Sequence, residues 1–416
     1  MKLRAYCRIP KKKSVKAKEG GCPELLYDLL SELDGASEIH IATYLFNNPV
    51  YFDFLSSLAE QGCIVKITSL PILGYSDKPS KVEGFEEKIS GRQMAKEIYH
   101  KIRRIKNMEL KIFPHLYVWY GALYAGGGAS YSFHIKAILA KFRNGIKKCI
   151  LSSGNFMFTD SYHSDNLIVI EGGHEYESAF KKFFADLDSL SVPYGVFCND
   201  FKEYKDEFLF SLHGKEINLD GNKFKNCFFT APFYLYDNIG SNHYAGNRII
   251  ELINGAHERI WVCAQHFHDL VSFDNKRETI IDAFYRKFLS DPSIEFRFLK
   301  QVSHSSLADK RRAAIAETLF QFVMKVEQRY NRLAHDKFMI FDNTLLVSTA
   351  NYTSTQFAFG KRQMDFKNGE NKSRKIDNFS ETNGFVVINN FPEVVKEYET
   401  HFNTLWEGGE SIEIKL

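Results

Sequence analysis

The chain has 416 residues, 44% of them hydrophobic and 25% charged, with a formal net charge of +3. That is enough apolar material for two ordinary domains or one large pseudo-symmetric one, and the charge is compatible with a polyanionic partner without requiring one. Seven scattered cysteines with no CxxC spacing argue against a disulfide framework or a zinc site, and the absence of a secretory core in MKLRAYCRIP or of any 18-residue apolar run predicts a cytoplasmic protein with no transmembrane segment.

Residues 3–9 read as a first strand, followed by the basic run KKKSVKAKEGG, an exposed loop. Pro23 opens an amphipathic helix, ELLYDLLSELDGA, with Gly35 at its end. A strand (EIHIATYLF), a helix (VYFDFLSSLAEQG) and a strand (CIVKITSLP) come next, an order that predicts α/β crossovers and a largely parallel sheet. The segment RQMAKEIYHKIRRIK predicts a basic helix carrying Arg103 and Arg104, leading into the strand ELKIF. A glycine-rich aromatic loop with Trp119 and Tyr120 then precedes His134 and is suited to stacking on bases, or simply to packing.

After the connecting segment 191–222 the same order returns. KNCFFTAPF repeats the first strand, NRIIELINGAHE the first helix, RIWVCAQHF and SIEFRFLKQ the next strands, with ETIIDAFYRKFLSD between them. Pro10 and Pro232 stand 222 residues apart and Gly35 and Gly255 220 apart, which points to an internal duplication with halves at 1–190 and 223–416. A long helix is expected over SSLADKRRAAIAETLFQFVMKVEQRY. A charged loop follows Asn351, with Lys361 and Arg362 placed to meet a phosphate backbone.

The chemistry-bearing residues also occur twice. His335 and Lys337 lie two apart, on one face of a strand, followed by Asp342 and the run Ser348, Thr349, Ala350, Asn351. Upstream stand His134 and Lys136, then Ser152, Ser153, Gly154, Asn155. Two histidines brought together can divide a substitution at phosphorus, one attacking and one protonating the leaving oxygen. Two lysines and two asparagines can hold the non-bridging oxygens, so no metal and no cofactor is called for.

The doubled HxK pattern with its small-polar-Asn runs resembles the phospholipase D superfamily, the HKD phosphodiesterases. The first copy has Lys141 where that family has Asp, and Ser152 and Ser348 stand where it prefers Gly. The resemblance implies two pseudo-symmetric α/β halves, each a mixed sheet flanked by helices, with the active site at their interface. It also implies a phosphohistidine intermediate, His134 as nucleophile, His335 as general acid, and Asp165 and Glu381 in matching places to orient the histidines. Asp342, Ser153 and Thr349 would then be structural. The first copy's hairpin is longer, with Asn144-Gly145 expected in a type I′ turn.

The basic helix, the aromatic loop and the charged loop favour a metal-independent nuclease acting on DNA or RNA. The alternatives are a phospholipase or phosphatidyltransferase acting on lipid headgroups, and a catalytically degenerate scaffold that binds nucleic acid or a partner. One chain holds both copies, so a monomer suffices for a complete site.

Overall fold

The structure is a computed structural model that describes residues 1–11, 18, 20–72, 88–113, 116–117, 130–131, 133–158, 160–200, 215–269, 277–301, 307–357, 362–364, 374–376 and 380–412. The first half contains β1 (Lys2–Arg8), α1 (Pro23–Leu33), β2 (Ala36–Thr43), α2 (Pro49–Glu60), β3 (Ile64–Ser69), α3 (Gly91–Ile102), β4 (Met108–Ile112), β5 (Lys136–Phe142), β6 (Lys147–Ser152), β7 (Asp165–Glu171), α4 (His174–Leu190) and β8 (Val192–Pro193). The second contains β9 (Cys227–Thr230), α5 (Ser241–Gly255), β10 (Arg259–Ala264), α6 (Ile280–Ser290), β11 (Glu295–Lys300), α7 (Leu307–Thr318), β12 (Glu327–Tyr330), β13 (Lys337–Phe341), β14 (Thr344–Ser348), β15 (Asn383–Ile388), α8 (Pro392–Glu407) and β16 (Glu410–Ser411).

Each half forms an eight-stranded sheet, ordered β1-β7-β6-β5-β2-β3-β4-β8 and β9-β15-β14-β13-β10-β11-β12-β16. The two orders correspond strand for strand, so the repeat read from the sequence is a repeat of topology. The sheets are mixed rather than largely parallel. The run β2-β3-β4 is parallel, but β5, β6 and β7 return as an antiparallel meander and β8 closes antiparallel on β4. Hairpins need only short connections, whereas every parallel step needs a crossover helix.

Local sequence explains the elements. Asn48 accepts from the Tyr51 N–H to cap α2, Ser90 does the same for α3 from Gln93, and Thr279 with Asp282 forms a capping box on α6. The long helix expected before His335 is shorter than its pattern suggests. α7 ends in a π-helical turn at Leu319–Val323, Lys325 takes a left-handed φ of 51°, and Glu327–Tyr330 becomes β12 beside β11. Phe320 stacks on Phe298 at 4.2 Å and is fully buried, so tertiary packing overrides helix propensity there. The first hairpin also differs from expectation. Gly145 is left-handed (φ 83°) and donates to the Phe142 carbonyl, while Asn144 is absent from the positive-φ residues, which makes a three-residue loop instead of a type I′ turn.

In the first half, α1, α2 and α3 cover the outer sheet face with Leu25, Leu29, Leu55 and Ile98. The inner faces of both sheets share one continuous core. Two helices bridge the halves. α4 lies on β6 of its own sheet and on β9 of the other, with Phe183 stacked on Phe229 at 4.2 Å. α8 presents Tyr398 and Phe402 to Phe338 and Trp261 of its own half and packs along β1 of the first. Among the described residues no helix is long and apolar enough to cross a membrane.

Candidate active site

The site lies where the starts of β5 and β13 face each other. Phe133 bridges Thr382 and Ser164 bridges Ala334, and the His134 N–H donates to the Thr382 carbonyl at 3.1 Å. Each histidine therefore sits beside the other half's last long strand. His335 Nδ1 is 2.8 Å from Asp165 Oδ1, and His134 Nδ1 is 3.4 Å from Asn383 Oδ1, so both are oriented across the interface.

The supports of these two acceptors match. Ser153 Oγ donates to Asp165 Oδ1 at 2.6 Å and accepts from the Asn166 N–H at 2.9 Å. Thr349 Oγ1 donates to Asn383 Oδ1 at 3.0 Å and accepts from the Gly384 N–H at 3.1 Å. The hydroxyl of each small-polar run thus holds the orienting residue still. Asn383, and not Glu381, occupies the place of Asp165. Aligning HSDNLIVI with ETNGFVVI position by position would have found it, because Leu167 pairs with Ser152 as Phe385 pairs with Ser348. Glu381 corresponds instead to His163.

The lysines differ as well. Lys136 Nζ donates to the His134 carbonyl at 2.7 Å and lies 3.0 Å from His134 Nε2. Lys337 Nζ donates to the His335 carbonyl. Burial, and then Lys337, pull the Lys136 ammonium well below its usual range. Burial brings Lys337 down to about 8 against the pull of Asp165 and Asp336. Burial, reinforced by Lys136, Lys337 and His335, also depresses His134, so charges from both halves act on it. An anionic phosphate would reverse these shifts by giving each cation a partner. The buried Oδ1 atoms of Asn155 and Asn351 have no hydrogen-bond partner among the described residues.

His163 is a member of the site that sequence reading missed. Its ring lies 4.2 Å from that of His335, and its Nδ1 is 2.7 Å from Asp165 Oδ2. Burial opposes its charge, but Asp165 and Asp160 outweigh it and push His163 up to about 10. Burial works against the Asp165 carboxylate too, yet His335 and His163 hold it ionised. His163, Asp165 and His335 place ligand atoms within 4.8 Å of one another, a spacing a cation could bridge. Asp165 Oδ1 bonds to His335 Nδ1 and Oδ2 lies against His163 Nδ1, so the group as it stands sets one carboxylate between the His163 cation and the neutral His335 ring. Glu381, beside Asn383, is driven up to about 7 by burial, which Lys136 opposes.

No protein-family model and no curated protein matches the sequence. Solved structures do. A phosphatidylserine synthase from Haemophilus influenzae superposes with a TM-score of 0.54 over 96% of this chain and 88% of its own, at 12% identity. A polyphosphate kinase from Porphyromonas gingivalis gives 0.50 over 97% of this chain at 13% identity, and the present chain spans 50% of that protein. The fold is phospholipase D-like.

Within the phospholipase D-like fold the remaining expected residues fall in different places. Asp342 is far from the chemistry, at the other end of β13. Its carboxylate accepts the N–H groups of His257, Glu258 and Arg259 at 2.8, 2.8 and 3.0 Å and ties the hairpin to the start of β10. Lys141, its counterpart, ties β5 to β2 through Glu38 at 2.7 Å. The departure from the family pattern therefore exchanges one structural tie for another and leaves the site untouched. Arg103 and Arg104 are not at the site. They follow α3 at the start of β4, whereas the site adjoins its far end, where Phe113 meets Phe133 at 5.2 Å. Five strand residues, roughly 16 Å, separate the two ends. Trp119, Tyr120 and Lys361 lie outside the described residues, and Arg362 opens a short strand, Arg362–Met364, paired with Arg374–Ile376.

Proposed function

We propose that the chain is a phosphodiesterase that cleaves nucleic acid through a phosphohistidine. The observation that carries the reaction is the crossed pairing, in which His335 reaches Asp165 and His134 reaches Asn383, each in the opposite half. Two imidazoles held by Nδ1 turn their Nε2 atoms to attack and to proton transfer, that of His134 beside Lys136 Nζ at 3.0 Å. Lys136, Lys337, Asn155 and Asn351 are suited to hold the non-bridging oxygens, where charge gathers in the transition state. The lysines bring positive charge of their own, so cleavage proceeds in EDTA. The intact support of both histidines speaks against a degenerate scaffold.

Nucleic acid is favoured as substrate by the chain that leaves the site. Residues 358–380, between Asn351 and Glu381, hold six lysines and arginines against three acidic residues. The aromatic stretch 117–131 leads into His134 in the same way. The deciding experiment incubates the chain in EDTA with labelled single-stranded DNA, duplex DNA, RNA and phosphatidylcholine or phosphatidylglycerol vesicles. Cleavage of a nucleic acid that weakens steeply with salt supports the reading. Headgroup release from vesicles with the nucleic acids left intact overturns the substrate and keeps the reaction.

A further inference from the structure

The two histidines are equivalent in position and unequal in surroundings. His335 faces a carboxylate, Asp165, and His134 faces a neutral amide, Asn383. His134 Nε2 is engaged by Lys136 at 3.0 Å, whereas Lys337 is turned to the His335 carbonyl and no hydrogen bond falls on His335 Nε2 among the described residues. We propose that His335 is the nucleophile and His134 the proton donor, the reverse of the order the family resemblance implies. The assignment rests on the phosphohistidine reading above.

The argument is one of charge change during the reaction. In the first step the His335 Nε2 lone pair forms a bond to phosphorus. The phosphorus–oxygen ester bond breaks, and the leaving oxygen keeps its electron pair and takes the proton from His134 Nε2. His134, held neutral in the free site by burial and Lys136, takes up this proton with the anionic substrate, so the nucleophile goes from neutral to cationic and the acid from cationic to neutral. A carboxylate on the nucleophile's Nδ1–H strengthens its hold as the bond forms, so it favours the transition state over the ground state. The same carboxylate on the acid would stabilise the proton where it starts and slow its departure. An amide on the acid leaves it a stronger donor, and Lys136 beside Nε2 acts in the same direction. A lone pair engaged by an ammonium group is also a poor nucleophile.

In the second step a water oxygen bonds to phosphorus, its proton passes to His134 Nε2, and the phosphorus–nitrogen bond returns its electrons to His335. Asp165 now stabilises the adduct, so formation is favoured over hydrolysis. Burial and Lys337, opposed by Asp165, set His335 down to about 3, which keeps its ring neutral and its lone pair free before attack. His163 Nδ1 lies 2.7 Å from the second Asp165 oxygen as an ion pair; its own charge is met in part by Asp160 at 3.9 Å.

The test uses bis(4-nitrophenyl) phosphate, whose leaving group departs without a proton. The intact chain is mixed with it, quenched in alkali within the burst, and digested for mass mapping of the phosphorylated peptide, which needs no variant. The adduct is expected on His335. His134→Ala is expected to keep a burst of about one nitrophenol per chain and to accumulate the adduct, because the base for hydrolysis is gone. His335→Ala gives neither burst nor adduct. Asp165→Asn slows the burst about 10²-fold while hydrolysis of the adduct is spared or quickened, a split that mere loss of fold does not produce. An adduct on His134, in the intact chain or in His335→Ala, overturns the assignment and leaves the phosphohistidine reading standing. Nitrophenol release with no adduct on any histidine overturns both.

Discussion

Lys337 and Lys136 decide how the site responds to pH. A lysine brought down to about 8 is protonated below that value and loses its charge above it. Affinity for a phosphate anion is therefore full at neutral pH and falls as pH rises through about 8, so kcat/KM is expected to show an alkaline limb there. Lys337→Arg, whose charge persists across this range, moves the limb upward; a limb unmoved in the arginine variant would assign it to another group. Asn383→Asp tests the complementary point by placing a carboxylate on His134. It is expected to slow cleavage of esters with poor leaving groups about 10-fold or more while sparing bis(4-nitrophenyl) phosphate, read as the ratio of the two rates. At this scale the sequence was informative about residue type and silent about partners. The doubled His-Lys and Asn runs are legible because chemistry demands those side chains at short spacing. Asn383 was legible only by alignment with Asp165, and the roles of Asn383 and His163 were not, because a neutral amide and a third histidine acquire meaning only when strand register places them against His134 and Asp165.

The elements show why a motif residue can be dispensable. Asp342 satisfies three backbone N–H groups at the start of β10, and its removal leaves them with nothing but water. Asp342→Ala is expected to lower stability by about 1–3 kcal/mol, seen in the urea midpoint, with kcat preserved in the fraction that stays folded. Lys141→Ala, which breaks a half-exposed ion pair with Glu38, should cost less than about 1 kcal/mol. A large fall in kcat from either variant would place these residues in the chemistry after all. Strands and crossovers were readable from periodicity, and the caps at Asn48, Ser90 and Thr279 carry their own signals. The stretch after Thr318 misled because its helical spacing is real, and only the seating of Phe320 against Phe298 ends the helix early.

For the whole molecule, the tie between the halves centres on Asp336. It accepts from Ser164 Oγ at 2.6 Å and Asn166 Nδ2 at 2.8 Å, both in the first half, and meets His401 of α8 at 3.1 Å. Burial opposes its charge, but His401 and Ser164 hold its pKa below the usual carboxylate range. A depressed carboxylate contributes stability above its unfolded value of about 4 and loses it as pH falls, so this tie weakens on the acid side. Asp336→Ala leaves three buried partners unanswered and is expected to lower stability by about 3–5 kcal/mol and to flatten the acid limb of the unfolding midpoint. The duplication was legible as spacing, whereas the sharing of one core by both halves was not, since apolar residues do not announce which sheet they will cover. α8 gives that sharing a consequence in time. It spans Pro392–Glu407, in the second half, yet it lies along β1 of the first. The first half alone cannot seal that face, so the catalytic centre is expected to assemble only once α8 has docked, in a slow, high-contact-order step. A chain stopped at residue 391 should then be degraded by dilute protease and yield no phosphohistidine, although it carries both His-Lys pairs.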